Sequence, residues 1–470
     1  MLIRNAELGR CGTSDMRIDG GFVTQLGERL PAWSGETVLD ARGGALVRGL
    51  HDHHLHLLAL ATSLASLRCG PPGIVTEDAL ACRLREHAVS LPPNDDAWIR
   101  GIAYHESVAG DIDRAWLDRI VADRPVRIQH RSGRLWIVNS RGLERLAAGA
   151  DANELAPLRA NDALATGRLY DLDPWLRRRL GGSPPALHAA SALLASFGVT
   201  GITDASARNS RQEFRHFVDA TARAELLQRV CVMGDAGLDA IGDSEAVKRG
   251  PTKIYLRESS LPTLEDLCAA IAGSHDAGRA IAVHCVTEAE IVFALAALAA
   301  VGSRPGDRIE HASVAPPAVL ALIAEQRVTV VTQPNFVRER GDAYLADVAA
   351  RDCPWLYRGR AFLDAGIALA AGTDAPLGEP DPWLAMQAAV DRRTQAGQTL
   401  GCAEALTPEE ALGLFSGDPL APGTAAMHIA PGTPADLCLL DRPWSAARCD
   451  LAAVRVIATL RCGQLIWQRG

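Results

Sequence analysis

The sequence predicts an α/β fold organised around a TIM (β/α)8 barrel. Three observations lead to this prediction. Eight short apolar runs of strand length recur along the chain with helical patterns between most of them, chemically active side chains follow several of these runs, and both chain ends alternate short β-like pieces with turns. Parallel strands joined by helices close into such a barrel, and its active site lies at the carboxyl ends of the strands. At 470 residues, the chain has room for a barrel and a smaller domain.

The two chain ends supply the smaller domain. Near the start, Asp19-Gly20 between apolar flanks is a strong hairpin signal. The last fifty residues have a similar β-rich pattern. We therefore expect residues 1–48 and 422–470 to pair into one small β-sandwich domain.

The barrel is predicted over residues 49–421, and its strands alternate with helical patterns such as 264–277 and 315–325. Its eight strand candidates are 45–50, 198–203, 229–233, 252–256, 280–284, 308–311, 328–332 and 367–371. A segment of about residues 61–190 separates the first two strands, and this segment is far too long for one βα connection. Long connections of this kind are usually lids or inserted subdomains, so we predict an inserted lid subdomain after strand 1.

Composition excludes several classes of protein. The chain is 48% hydrophobic and 22% charged, which is typical of globular domains, and its net charge of -8 argues against nucleic acid as a main partner. The longest apolar run, 291–301, is much shorter than the ~20 residues that cross a bilayer. No signal peptide is evident, and the 11 cysteines contain no CxxC pair. We expect a reduced, cytoplasmic protein that acts on a small molecule without nucleic acid or membrane, and the sequence leaves homo-oligomerisation open.

The most informative motif is the run from His51 to His56. On a β-strand alternate side chains share a face, so Asp52, His54 and His56 point one way, whereas His51 and His53 point the other way. Two imidazoles two residues apart on a strand can bind one metal ion. We expect His51 and His53 to be packed or hydrogen-bonded instead.

Three later residues end apolar runs of strand length. His284 and His311 each follow such a run, and Asp374 lies in a Gly-Thr-Asp-Ala-Pro turn. Taken singly, each histidine would fit a satisfied core position, and the aspartate would fit an ordinary turn. Because the carboxyl ends of barrel strands converge, we instead expect these residues to join His54 and His56 around a divalent metal.

At this point the sequence resembles a known family. Its motifs are similar, in order and over nearly the whole chain, to those of the urease-related amidohydrolase superfamily and, within it, of amidohydrolase family 3. The matching segments are 49–56, 198–204, 284–289, 308–312, 372–376 and 431–437. The family usually carries Asp-Gly shortly after the fourth-strand lysine, where this chain has Arg257-Glu258-Ser259. We expect that departure to reshape substrate contacts.

The resemblance implies hydrolysis of an amide, formamide or cyclic amide C–N bond through a metal-activated hydroxide. One or two divalent ions, most typically Zn²⁺, would be bound by the five residues above. Asp374 would both bind the metal and carry the proton, and His311 would bind the metal and assist catalysis. Asp52 would orient the metal ligands without binding the metal itself. The alternatives are a mononuclear deaminase and a catalytically inactive binding relative.

Lysine is the rarest cation of the chain, since only Lys248 and Lys253 occur. Carbamylated by CO₂, Lys253 would become an anionic ligand bridging two ions; the alternative is a buried lysine paired with an acid. Candidates for substrate contact at the barrel mouth or lid are Tyr104, Arg208, Gln333, Asn335 and Arg338.

Overall fold

The structure is a computed structural model that describes residues 1–9, 12–71, 73–92, 97–160, 162–181, 184–424 and 428–470. The chain divides into two compact units. One unit comprises Met1–Ala59 and Ala186–Gly470, and the other comprises Leu60–Pro185. Among the described residues, no helix combines the length and apolar character that spanning a bilayer requires.

Eight parallel strands of the first unit form a nearly closed barrel. In chain order, which is also their order in the sheet, they are Leu50–Leu55, Val199–Asp204, Arg229–Gly234, Val247–Tyr255, Ile281–Cys285, Arg308–His311, Thr329–Thr332 and Leu369–Ala371. The first and eighth strands meet through backbone hydrogen bonds: Asp374 N donates to His54 O, and His56 N donates to Ala375 O, both at 2.8 Å. The predicted α/β barrel is confirmed at this level.

Helices lie between most of these strands and after the last one. They are His188–Ser196, Arg211–Ala222, Leu264–Asp276, Glu288–Val301, Pro317–Gln326, Asn335–Asp347, Arg360–Asp364, Pro382–Asp391 and Pro408–Gly413. Glu288–Val301 starts with a capping box in which Thr287 and Glu290 satisfy each other's backbone N–H groups, as its sequence pattern favours. Because all neighbouring strands of this sheet are parallel, every strand presents its carboxyl end on the same side.

The first strand differs from its prediction. The apolar run 45–50 looks continuous, but it contributes to two sheets: Leu46–Arg48 pairs with Leu437–Leu440, and Leu50–Leu55 joins the barrel. Gly49 lies at the change of partner, where an added Cβ would come within 2.4 Å of the Thr200 side chain. His51, His53 and His54 therefore lie within the first barrel strand, and His56 directly follows it.

The chain ends form two four-stranded sheets. The strands of one are Leu2–Glu7, Thr13–Asp19, Phe22–Gly27 and Val38–Asp40, and those of the other are Leu46–Arg48, Leu437–Leu440, Val456–Arg461 and Gln464–Gln468. Buried side chains of both sheets, including Ile3, Met16, Leu439 and Leu460, belong to one apolar cluster.

The second unit has its own sheet and core. Its strands are Leu67–Arg68, Ile99–Tyr104, Val126–His130, Leu135–Val138 and Arg168–Tyr170. Its helices are Glu77–Ser90, Glu106–Ala109, Arg114–Ile120, Ser140–Ala147, Ala156–Ala160, Ala163–Thr166 and Asp173–Leu180, while Leu57–Leu64 crosses the boundary between the units. A fully buried apolar cluster that includes Leu80, Ile99, Val126 and Ile128 fills the space beside this sheet.

Candidate metal centre

Three buried side chains converge at the carboxyl end of the barrel. His54, His311 and Asp374 each offer one ligand atom, and these atoms all lie within 4.8 Å of one another. Asp374 Oδ1 lies 3.7 Å from His54 Nε2 and 3.2 Å from His56 Nε2. The two histidines that the sequence places on one strand face thus approach the same carboxylate.

Two residues of this cluster have left-handed backbone. His311, the last residue of the sixth strand, has φ 71°, and Asp374, in the turn after the eighth strand, has φ 56°. Non-glycine residues are uncommon in this region, and such strain concentrates at functional sites. The left-handed backbone at His311 also explains how the side chains of two consecutive residues face the barrel interior. Glu310 points inward by strand alternation, and His311 does so because of its backbone conformation.

The imidazole rings of His54 and His311 are each oriented by a contact at Nδ1. His54 Nδ1 contacts the Glu310 carboxylate, and His311 Nδ1 lies 2.6 Å from Gln333 Oε1. An acceptor at Nδ1 fixes the proton there and leaves the Nε2 lone pair free for a metal. Burial, together with nearby cationic groups, holds the pKa of both histidines well below its ordinary value, so both are neutral.

Glu310 contacts this cluster, although the sequence pattern alone did not assign it a role. Its side chain is fully buried, and Arg308 Nε donates to its Oε1 at 2.6 Å. Burial raises the pKa of Glu310, but the positive charges of Arg308 and Lys253 outweigh this effect and keep the pKa below its usual range. The available signal was alternation on the sixth strand, which places Arg308 and Glu310 on the interior face.

Lys253 and His284 lie on neighbouring strands beside this cluster. Lys253 is 7% exposed, and burial lowers the pKa of its amine. Its positive charge also contributes, after burial, to lowering the pKa of His284 to about 3. The His284 ring is stacked on Tyr255 at 4.2 Å and lies edge-on to His311 at 4.4 Å.

Asp52 ties the first strand to the turn after the eighth. Its carboxylate accepts hydrogen bonds from His54 N, Thr373 N and Thr373 Oγ1. Burial raises the pKa of Asp52 to about 7. These contacts are made with the backbone of His54 and with Thr373, the residue before Asp374, rather than with an imidazole ring.

The other two motif histidines have contacts elsewhere. His51 Nε2 lies 2.9 Å from Thr203 Oγ1, and His53 Nε2 lies 3.3 Å from the Ser416 carbonyl. Their rings are 4.5 Å apart. They pack together on the strand face opposite His54 and His56.

The donor set fits a metal ion. Two ligand atoms ~2.1 Å from one tetrahedral zinc ion lie about 3.4 Å apart, close to the distances from Asp374 Oδ1 to His54 and His56. Asp374 Oδ1 and Lys253 Nζ are both buried without a hydrogen-bond partner in the described structure. Buried polar atoms are seldom left unpaired unless a ligand or an ion completes them.

The candidates for substrate contact have different positions. Gln333 is buried against His311, and Asn335 Nδ2 donates to Thr373 O at 3.0 Å, so both support the metal cluster. Arg208 and Arg338 are exposed beyond the second and seventh strands. Tyr104 belongs to the second unit, where its hydroxyl donates to Gly110 O at 2.6 Å. Substrate contact by any of them stays a prediction.

The chain matches a known family over most of its length. Residues 37–467 match a family model described as the amidohydrolase family. The chain is 25% identical to an N-substituted formamide deformylase from Arthrobacter pascens, over 92% of this chain and 90% of that protein.

Two solved structures share the fold. An uncharacterized metal-dependent hydrolase from Pyrococcus furiosus has a TM-score of 0.75 at 19% identity, covering 94% of this chain and 98% of that chain. A 5-methylcytosine deaminase from Klebsiella pneumoniae has a TM-score of 0.51 at 14% identity, covering 100% of this chain and 98% of that chain. At these identities the likeness concerns the fold alone.

Proposed function

This chain belongs to the amidohydrolase family and is a hydrolase of carbon–nitrogen bonds, and we propose that it hydrolyses an amide, formamide or cyclic amide of a small molecule at the His54–His311–Asp374 cluster. The observation that carries the proposal is the buried Asp374 Oδ1, which lies 3.7 Å from His54 Nε2 and 3.2 Å from His56 Nε2. In the overall reaction, water adds to the carbonyl carbon, the C–N bond breaks, and a carboxylic acid and an amine form.

The proposed ligands are the residues that converge at the barrel mouth. They are His54, His56, Lys253, His284, His311 and Asp374. A divalent ion bound there, most typically zinc, would polarise the substrate carbonyl and lower the pKa of water to about 7. The neutral state of His54, His284 and His311 suits this role, because an imidazole binds a metal through an unprotonated nitrogen.

Asp374 is the proposed proton carrier. Its carboxylate can accept a proton from the attacking water and return it to the leaving nitrogen. Asp52 and Asn335 hold the turn that presents Asp374, through Thr373 N and Thr373 O. Glu310 and Gln333 keep the His54 and His311 rings in place, so the reacting groups are fixed before substrate binds.

Lys253 would complete a two-ion site. Carbamylation requires a neutral amine, and burial lowers the pKa of Lys253 toward that state. The amine lacks a hydrogen-bond partner in the described structure. We propose that its carbamate bridges two ions.

Some parts of the prediction remain proposals. They are the β-sandwich formed by the two end sheets, the lid role of the inserted unit and the cytoplasmic location. The contribution of both end sheets to one apolar cluster supports the first of these.

A substrate panel tests the proposed reaction. The zinc-loaded protein should release amine and acid from at least one member of a series of N-formyl, N-acetyl and cyclic amides, and zinc should restore turnover after chelation. Deaminase substrates such as aminopyrimidines form the comparison series. Release of ammonia from the aminopyrimidines, without cleavage of any amide, would contradict the proposal.

A further inference from the structure

Beyond the metal cluster, the fourth barrel strand carries an aromatic residue and a cation toward solvent. Lys253, Tyr255 and Arg257 alternate, so they share one face of the strand and its extension. Arg257 continues this extended conformation, with φ -138° and ψ 125°. Successive members of this row are roughly 6.6 Å apart along the strand.

Tyr255 connects the row to the metal centre. Its ring is stacked on His284, with centroids 4.2 Å apart and planes 27° apart. The Arg257 guanidinium lies 5.2 Å from the same ring. Because Tyr255 is 51% exposed, a molecule that reaches His284 from solvent can contact both Tyr255 and Arg257.

The Arg257 charge is available to a ligand. Arg257 is exposed and forms no salt bridge within the described part of the chain. Arg340 shows the contrast: it also lies over an aromatic ring, that of Phe336, but its guanidinium donates to Leu377 O at 2.8 Å. Stacking on Tyr255 positions Arg257 without using its hydrogen-bond donors.

The backbone beside Arg257 is fixed. Glu290, which is 5% exposed, accepts hydrogen bonds from Glu258 N at 2.8 Å and from Val286 N at 2.6 Å. One carboxylate thus joins the loop after the fourth strand to the loop after the fifth. Arg257 therefore starts from a defined position rather than from a freely moving loop.

We propose that Tyr255 and Arg257 select substrates in which an anionic group, such as a carboxylate, lies several bonds from the scissile amide. This inference rests on the proposed function and adds the substrate class. Tyr255 contacts the connecting chain, and the guanidinium forms a paired hydrogen bond with the carboxylate. Arg257 lies roughly 13 Å along the strand from Lys253, so a short substrate cannot reach both ends of the row.

A series of N-formyl ω-amino acids, each with its methyl ester, tests the proposal. The acid of the 6-aminohexanoate derivative should exceed its ester in kcat/KM by about 10- to 100-fold, as expected for a hydrogen bond to a charged group. N-formylglycine should show a smaller preference. Arg257→Met should remove the preference, and Arg257→Lys should retain part of it.

The control is Arg351→Gln, which removes one positive charge at a site whose side chain is 84% exposed. It should keep the acid-to-ester ratio of the wild type. Equal kcat/KM for acid and ester in the wild type would overturn the proposal, as would an equal loss for both compounds in Arg257→Met.

A binding measurement separates this inference from the proposed reaction. Calorimetric titration of Asp374→Asn with the acid and the ester needs no turnover. If the wild type cleaves no amide of either panel, but Asp374→Asn binds the acid more tightly than the ester and adding Arg257→Met removes the difference, the proposed reaction fails and the anion site stands. Equal binding of acid and ester would overturn the anion site.

Discussion

Two regions of the barrel unit contain buried charged side chains, and they differ in whether the chain itself supplies hydrogen-bond partners for them. Behind the seventh and eighth strands, Arg392 is 1% exposed, and all three of its nitrogens have acceptors. These are the carbonyls of Leu400, Tyr357 and Leu356, at 3.0, 2.7 and 2.8 Å. At the metal centre, Lys253 Nζ and Asp374 Oδ1 are equally shielded from solvent but have no hydrogen-bond partner in the described structure.

The difference separates structural charges from functional ones. A buried charge whose partners are all supplied by the chain stabilises loop geometry, and removing it leaves those partners unsatisfied. A buried charge without partners destabilises the folded state unless a ligand completes it. Changes at the metal centre should therefore affect metal content and turnover more than stability, and changes at Arg392 should do the reverse.

The largest effect is expected for Asp374→Asn. The amide keeps the shape of the side chain but cannot take up a proton, so kcat should fall by ~10²–10⁴ or more. The thermal unfolding midpoint should stay close to that of the wild type. Asp243→Asn, which changes a half-exposed carboxylate, is the matched control. Near-normal turnover with metal bound would show that Asp374 is not the proton carrier.

The two lysines offer the next test, because they lie on the same strand in opposite surroundings. Lys248 is 46% exposed and lies 3.9 Å from Asp243, whereas Lys253 is buried. A guanidinium cannot form a carbamate, so Lys253→Arg should lose most activity and lower the metal content toward one equivalent or none. Lys248→Arg should behave as the wild type.

A rescue experiment sharpens the test of Lys253. Acetate should partly restore turnover in Lys253→Ala, since a short carboxylate can take the bridging position. Full metal loading and activity in Lys253→Arg would mean that the lysine is only a structural cation.

A smaller effect is expected for Glu310→Gln. The neutral amide holds the His54 ring less firmly, so zinc affinity should fall by about 10- to 100-fold. Competition with a chromophoric chelator measures this affinity, and excess zinc should recover most of the activity. The exposed Glu325→Gln is the control. Unchanged zinc affinity would exclude Glu310 from ligand orientation.

Arg392→Met should have the smallest effect on catalysis. Loss of the guanidinium leaves three buried carbonyls without donors, which should lower the free energy of unfolding by about 3 kcal/mol or more. Below the unfolding transition, metal content and kcat should stay near the wild-type values. A variant that keeps its stability but loses its metal would reverse the proposed distinction between the two regions.

Sequence patterns predicted the barrel because its strands are short apolar runs at βα spacing. They misplaced the first strand, since the run 45–50 gives no local sign that the chain changes sheets at Gly49. At that point Gly49 lies against the Thr200 side chain, which is distant in sequence. Register in a fully buried strand is set by such tertiary neighbours rather than by local pattern.

The metal centre, too, was predicted by local sequence pattern in part and determined by tertiary contacts in part. Alternation on the first strand placed His54 and His56 together, and the structure brings both to Asp374. The partner of His54 could not be predicted, because Glu310 is 256 residues away along the chain. The contact of the Gln333 oxygen with His311 could not be predicted either, because only the fold reveals which polar side chain lies beside that ring.

The metal content of the purified protein tests the central claim most directly. Elemental analysis of the wild type should find between one and two equivalents of a transition metal, most typically zinc. Prolonged dialysis against a strong chelator should remove it and abolish amide hydrolysis, and added zinc should restore both. Full hydrolytic activity in a rigorously metal-free sample would contradict the assignment of His54, His311 and Asp374 as a metal centre.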